Sequence, residues 1–474
     1  MTRTLIVVFD ALRPGFVTQD LMPNLHAFAD AGVRCTNHHS TFPTETRVNQ
    51  SAVITGCYPY RHGIVANNFP LPGTDEIVTT GDDHAFEAML NAMDAPLLNV
   101  PALGRILADS GKSYATISAG TSGGGRLINL DAGQTGSIRY TLRRPEVSVP
   151  EGFEQEVAAS IGPIPDYQRP AVAWNRHAVD AWLDVIDPRE PDVSLVWLCE
   201  PDETFHWHGI GSPEALDAIR GVDAAFGEIL KRKAAEIESG DLHIIAMSDH
   251  GQISLAGAKI GLQDRMRGAG FGLDGSPPDY LVSVHNAGGI WVREQNFDLI
   301  GRAVDWLEAQ TFIGPVFTRE GIGGTLRHVE ICADHPRAPD IYLTLAHAGA
   351  ANRFGIRGVS ADNAPYPIGG GCHGGLSRYE LHNFLALGGT VFASGLASVV
   401  PTGNVDILPT VLHLLGIAPP AAIDGRVLTE TFRDGALAAQ PEHTTIGEGR
   451  TRLSFTQMGD TRYFERAWTE VSRL

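Results

Sequence analysis

Paired cysteines, long apolar runs and an excess of positive charge are all missing from this chain of 474 residues. Its five cysteines, Cys35, Cys57, Cys199, Cys332 and Cys372, are odd in number, widely spread and without a Cys-x-x-Cys. That spacing excludes a disulfide framework. The first apolar run, Leu5 to Phe9, is far too short to span a bilayer. It is also not the apolar segment and small-residue cleavage site of a secretion signal. A cytoplasmic, reduced protein without a membrane partner is therefore expected. Lys plus Arg total 36 against 55 Asp plus Glu, a net charge of −19. Phosphate backbones are gripped by Lys and Arg, so this balance argues against a nucleic-acid polymer as partner. A small phosphorylated substrate remains open, because a bound metal supplies the local positive charge it needs.

What is present is a large apolar fraction, 43% of residues, with only 19% charged. Such a chain can bury a sizeable core rather than stay disordered. Short β-rich runs alternate with helical patterns, which predicts βαβ units and a mainly parallel sheet. Thr4 to Phe9, Ser113 to Ser118, Val193 to Cys199 and His243 to Met247 read as buried strands. Leu103 to Gly111 reads as a helix. After Ser212 as N-cap and Pro213 as first helical residue, Leu216, Ile219, Val222, Phe226, Ile229 and Leu230 recur at helical spacing. Val405 to Gly416 reads as a late helix. Residues 70–100 and 120–170, rich in Gly, Pro and Asp, read as loops over the sheet's edge. Residues 280–345 read as a small inserted subdomain, and residues 440–474 as a hairpin followed by a short helix.

Ligands of open α/β sheets bind beyond the carboxyl ends of the strands. Asp10 follows the first strand; Asp202 and His206 follow Val193 to Cys199; Asp249 and His250 follow His243 to Met247. An Asp after a strand is commonly a cap or turn residue. Capping does not require carboxylates to recur at three strand ends with two histidines beside them. Mixed Asp and His donors suit Zn²⁺, and also accept Mn²⁺ or Fe²⁺. A nucleophile candidate lies in Thr41 to Asn49, where Thr44 or Thr46 precedes a helical stretch. A hydroxyl at a helix N-terminus sits where anions are favoured.

The run Phe42-Pro43-Thr44-Glu45-Thr46-Arg47-Val48-Asn49, then Thr55-Gly56-Cys57-Tyr58-Pro59 and His62-Gly63-Ile64-Val65-Ala66-Asn67, resembles the nucleotide pyrophosphatase/phosphodiesterase group of the alkaline phosphatase superfamily. Ser248-Asp249-His250-Gly251, Gly371-Cys372-His373-Gly374 and Asp424-Gly425-Arg426 extend the resemblance over most of the chain. It implies one alkaline-phosphatase-like catalytic domain over 1–474, a mainly parallel sheet flanked by helices. It also implies a two-zinc site: Asp10, Asp249, His250 and the nucleophile Thr46 on one metal, Asp202, His206 and His373 on the other. Asn67 would donate to a phosphoryl oxygen. The implied reaction is in-line phosphoryl transfer through a phospho-threonine, with two metals about 4 Å apart. The chain departs from the family at Arg47-Val48, where Phe-Pro is usual.

Within the superfamily, a phosphonate C–P hydrolase resembling phosphonoacetate hydrolase shares the ligand pattern. A sulfatase lacks support: Cys57-Tyr58-Pro59-Tyr60-Arg61 has the Cys-x-Pro-x-Arg spacing, but Cys57 lies inside the run that carries the phosphodiesterase resemblance and beyond the nucleophile position, and Cys35 lacks the motif. A metal-binding protein without catalysis is the rival of another class. Gly120 to Arg126 lacks the Gly-Lys-Ser/Thr ending of a P-loop and reads as a flexible loop at the site's rim.

Overall fold

The structure, a computed structural model, describes residues 2–71, 74–93, 96–437 and 439–470. Its centre is a nine-stranded sheet. The strands that matter here are Arg3–Phe9 (β1), Val33–His39 (β2), Tyr114–Ser118 (β3), Ile138–Thr141 (β4), Val193–Leu198 (β5), Leu242–Met247 (β6), His382–Gly388 (β7) and Leu396–Ser398 (β8). They lie in the order β8-β2-β7-β6-β1-β5-β3-β4. All neighbours are parallel except β7, which runs against both β2 and β6. The start of β7 therefore lies at the same end of the sheet as the finishes of β1, β2, β5 and β6.

Alternation within these strands explains why both faces are covered. Ile6 and Val8 of β1, Trp197 of β5 and Met247 of β6 enter one apolar core. Leu5, Val7 and Phe9, with Leu198 and Ala246, enter the other. A strand buried on both sides must be apolar throughout, which is how β1 reads. The helix Pro213–Arg232 covers the second face through Ile219, Val222, Phe226 and Ile229. Its start is set as the sequence suggested: Ser212 accepts the Ala215 N–H at 3.1 Å. The helix Ile407–Leu414 packs on the first face.

Residues 280–345 contain a five-stranded sheet with the helix Phe297–Glu308 against it and an apolar core of their own. Ile253–Lys259 joins Arg357–Asp362, His347–Ala351 and Gly371–Cys372 in a four-stranded sheet. Among the described residues no helix is long and apolar enough to cross a membrane.

Three expectations need correcting. The stretch 70–100 is not simply loop: Asn68–Pro70 pairs with Ile77–Thr79, and Asp83–Ala92 is a helix. Asp82 caps that helix by accepting the Ala85 N–H, and Phe86 and Met89 bury one of its faces. The stretch 120–170 carries β4, the edge of the main sheet, and the helices Ser122–Leu127 and Phe153–Ile161. At the C-terminal end, Glu442–Glu448, Thr451–Met458 and Thr461–Thr469 form a three-stranded antiparallel sheet. The helix expected beyond Glu465 is replaced by strand to Thr469, because Phe464 and Ala467 enter the first core and Ala467 donates its N–H to Leu376. Residues 471–474 lie outside the described residues.

Candidate metal and phosphoryl site

Beyond the carboxyl ends of β1, β5 and β6, the three strand-end carboxylates converge. Asp10 directly follows β1, Asp249 lies two residues past β6, and Asp202 opens the short helix Asp202–His208 (α2). The helical turn of α2 brings His206, four residues on, to the same side, with Nε2 at 3.3 Å from Asp202 Oδ1. His373 arrives from a loop and sets its Nε2 at 3.5 Å from the same oxygen. His250 Nε2 lies 3.2 Å from Asp249 Oδ2 and 3.6 Å from Asp10 Oδ1. Two groups of metal-competent donors result, Asp202–His206–His373 and Asp10–Asp202–His250, sharing the Asp202 carboxylate.

The imidazoles carry a common signature. Each gives its Nδ1–H to a backbone carbonyl: His250 to Gly251 at 3.0 Å, His206 to Gly371 at 2.8 Å, His373 to Thr44 at 2.9 Å. That fixes the tautomer and leaves each Nε2 a lone pair facing a carboxylate. An acceptor facing an acceptor is repulsive unless a cation sits between them. Two carboxylate oxygens, Asp10 Oδ1 and Asp249 Oδ2, are buried without a hydrogen-bond partner, a cost that folding does not ordinarily leave unmet. Their other oxygens are held: Asp10 Oδ2 accepts from the Trp197 indole at 2.9 Å, and Asp249 Oδ1 from the Ala11 and His250 amides.

Electrostatics agree. Burial, with the Asp249 and Asp202 charges, raises Asp10 well above the usual carboxylate range. Burial raises Asp249 as well. Burial would raise Asp202 too, but positive charge on His206 and His373 holds it below its ordinary value, a charge that a bound cation would supply when both rings are neutral ligands. Three carboxylates crowded this way call for positive charge, and the donors fit divalent metals of the zinc class.

Thr46 opens the helix Thr46–Thr55 (α1). Its Oγ1 lies 3.1 Å from His250 Nε2 and lines a cavity of about 150 Å³ with Asp10, Asn67, Asp202, His206 and His373. Thr44, left open beside it by the sequence, is buried instead in a structural role: it donates to the Gly375 carbonyl at 2.8 Å and accepts the Gly374 N–H at 2.9 Å. Asn67 accepts the Arg47 N–H at 3.0 Å, and its own N–H is held by Glu45. All the residues singled out from the sequence thus meet at one place.

Other residues here carried no distinct signal. Gln252 donates to the Asp202 carboxylate. Tyr366 stacks on His206 with ring centres 3.9 Å apart. Glu203 pairs with Arg143 at 3.2 Å and Arg169 at 3.3 Å on the rim. Gln252 was discoverable only as the neighbour of the Asp249-His250-Gly251 motif. Tyr366 reaches the site through tertiary packing alone. The Gly120 to Arg126 segment is no flexible loop: Thr121 caps Ser122–Leu127 by accepting the Gly124 N–H, and also takes a hydrogen bond from Arg47 at 3.2 Å.

A mainly parallel sheet with helices on both faces, and these donors at its carboxyl edge, make an alkaline-phosphatase-like fold. The pattern of the type I phosphodiesterase/nucleotide pyrophosphatase family matches residues 4–350, and the chain belongs to that family. A venom phosphodiesterase of Macrovipera lebetinus is 23% identical over 249 residues, 51% of this chain and 24% of that protein. A pyrophosphatase/phosphodiesterase of Schizosaccharomyces pombe is 24% identical over 262 residues, 55% of this chain and 47% of that protein. The chain thus spans about a quarter of the venom relative and half of the yeast one. Human ectonucleotide pyrophosphatase/phosphodiesterase 5 shares the fold with a TM-score of 0.62 at 18% identity, over 91% of this chain and 100% of that one. An inactive murine form of that protein, solved in complex with AMP, gives 0.60 at 18% identity, over 89% and 96%.

Proposed function

We propose that the protein hydrolyses phosphodiesters of small molecules, nucleotides among them, through a covalent phospho-threonine at Thr46. The observation that carries this reading is the placement of Thr46 Oγ1, at a helix N-terminus and 3.1 Å from His250, inside the cavity that both donor groups face. Asp10, Asp249, His250 and Thr46 would hold one divalent metal, and Asp202, His206 and His373 the other. Bound there, the metals would supply Lewis-acid stabilisation of phosphoryl charge and lower the pKa of the Thr46 hydroxyl.

The chain's own groups do the rest. Thr46 Oγ attacks phosphorus, the bond to the leaving oxygen breaks, the hydroxyl proton passes through solvent to that oxygen so that it departs as an alcohol, and phospho-threonine forms. Water then attacks phosphorus, the Oγ–P bond breaks and the hydroxyl is restored. The Asn67 side chain, oriented by accepting the Arg47 N–H, offers its NH₂ to a non-bridging oxygen. The N-terminus of α1 adds favourable dipole at the same point. The complex of a structural relative with AMP supports a nucleotide-sized substrate.

A second reading, cleavage of a C–P bond in a carboxylated phosphonate, is favoured by Arg47. Its Nε is buried without a partner and its side chain lines the cavity, which suits a more anionic substrate.

Turnover on a panel of bis-p-nitrophenyl phosphate, p-nitrophenyl phosphate, a sulfate ester and phosphonoacetate tests both readings, with Thr46→Ala as control. The diester turned over fastest, and Thr46→Ala inert while still carrying metal, is the expected result. Phosphonoacetate winning selects the second reading. Thr46→Ala with full activity would overturn both.

A further inference from the structure

The signature of the catalytic imidazoles occurs once more, at the opposite margin of the nucleophile segment. His39, the last residue of β2, is 1% exposed. It gives its Nδ1–H to the Thr402 carbonyl at 3.1 Å, so its Nε2 is left as an acceptor. That Nε2 has no hydrogen-bond partner and faces Glu465 Oε1 at 3.4 Å. The other oxygen of Glu465 lies 3.0 Å from Nε2 of His382, the first residue of β7. The three donor atoms lie within 4.8 Å of one another.

From these observations we infer that His39, His382 and Glu465 bind a further divalent metal of the zinc class, distinct from the proposed catalytic pair. Two imidazoles and a carboxylate are a favoured zinc donor set. Donors of a tetrahedral zinc site lie about 3.3 Å apart, given Zn–N lengths near 2.0 Å. The separations of 3.0 Å from His382 to Oε2 and 3.4 Å from His39 to Oε1 are of that size, one carboxylate oxygen serving each imidazole. Thr456 donates to Glu465 Oε1 at 3.0 Å and Thr402 orients His39, which are the outer contacts that steady metal ligands. An entry path exists, because His382 also lines a surface cavity of about 390 Å³ with Arg13 and Tyr379.

The position suits a structural ion. His39 ends β2 immediately before the segment that leads to Thr46, and Ser40 there donates to the Leu381 carbonyl at 2.8 Å. Glu465 belongs to the last strand of the C-terminal sheet. The metal joins that sheet to the main one beneath the nucleophile segment.

The test is metal counting on the full chain. Protein stripped with a chelator is reloaded with zinc, freed of unbound ion by gel filtration, and measured by mass spectrometry of the metal. Wild type should hold three zinc per chain, and Glu465→Gln and His382→Gln two each. Both variants change partly exposed side chains, so the second keeps the test alive if the first fails to fold. Asp202→Asn strikes the shared ligand of the other two groups and reads those separately. An unchanged count in both Glu465→Gln and His382→Gln would overturn the inference and leave the triad an imidazolium–carboxylate cluster. A loss in those two variants, with no loss in Asp202→Asn, would uphold it while sinking the two-metal catalytic reading.

Discussion

Arg47 follows Thr46 directly and lines the same cavity. Its backbone N–H fixes Asn67, one guanidinium nitrogen donates to Thr121, Nε is buried without a partner, and the side chain lines the cavity. A charge-assisted hydrogen bond to an anionic oxygen contributes roughly 1.5–3 kcal/mol. Arg47→Ala should therefore lower kcat/KM by about 10- to 100-fold, with the larger loss on the substrate bearing more anionic oxygens. Steady-state kinetics on phosphonoacetate and bis-p-nitrophenyl phosphate measure this. Arg47→Lys should restore little, since a point charge does not reproduce the planar fork. Equal activity of wild type and Arg47→Ala on both substrates would remove Arg47 from substrate recognition.

At the scale of elements, the site depends on how closely α2 and the His373 loop approach. A Cβ on Gly370 would lie 2.2 Å from the His206 carbonyl oxygen, and one on Gly371 2.2 Å from the Gln252 side chain. The glycines are there for contact, not for flexibility. Gly370→Ala must push α2 and its His206 away from His373. A displacement of this size near a reacting centre costs roughly 10²-fold in rate. The expected outcome is that fall in kcat with metal lost from the Asp202–His206–His373 group, read by zinc content and turnover together. Full zinc content and rate would show that the loop yields freely.

The same elements show what could be read from the sequence. Asp10, Asp202 and the Asp249-His250 pair announce themselves because each follows an apolar run and parallel strands deliver their ends to one edge. His373 follows only the two-residue strand Gly371–Cys372, with no apolar run before it, and its glycine-rich approach looks like a flexible loop until α2 is packed against it. The donors thus became visible through local pattern, His373 through family resemblance, Gln252 only as the neighbour of the Asp249 motif, and Tyr366 only through tertiary structure. The strand β4 escaped for a related reason: Gly123 and Gly125 next to it make close contacts with Thr80 and Thr141 that composition reports as looseness.

Across the whole molecule, buried titratable groups outside the proposed metal sites set the response to acid. Burial holds His38, His62 and His328 neutral down to about 3, and His285 and His335 to about 4. In the unfolded chain each would take a proton near pH 6.5. These five therefore favour the folded state fully above that pH, and their contribution is lost as pH falls from 6.5 to about 4 for His285 and His335 and to about 3 for His38, His62 and His328. Burial acts oppositely on Glu45, Glu200 and Glu380, raising each to about 7. The folded protein keeps those protons after the unfolded chain has released them, so their contribution is lost as pH rises from about 4.5 to 7. Among the groups shifted furthest, five oppose three between pH 6.5 and 4.5, and the histidines prevail. Chelator-treated protein, which removes the separate effect of metal release, should show a lower urea midpoint at pH 5 than at pH 7. A higher midpoint at pH 5 would mean that the buried glutamates, not the histidines, govern the balance, and would place the net proton uptake of folding with Glu45, Glu200 and Glu380.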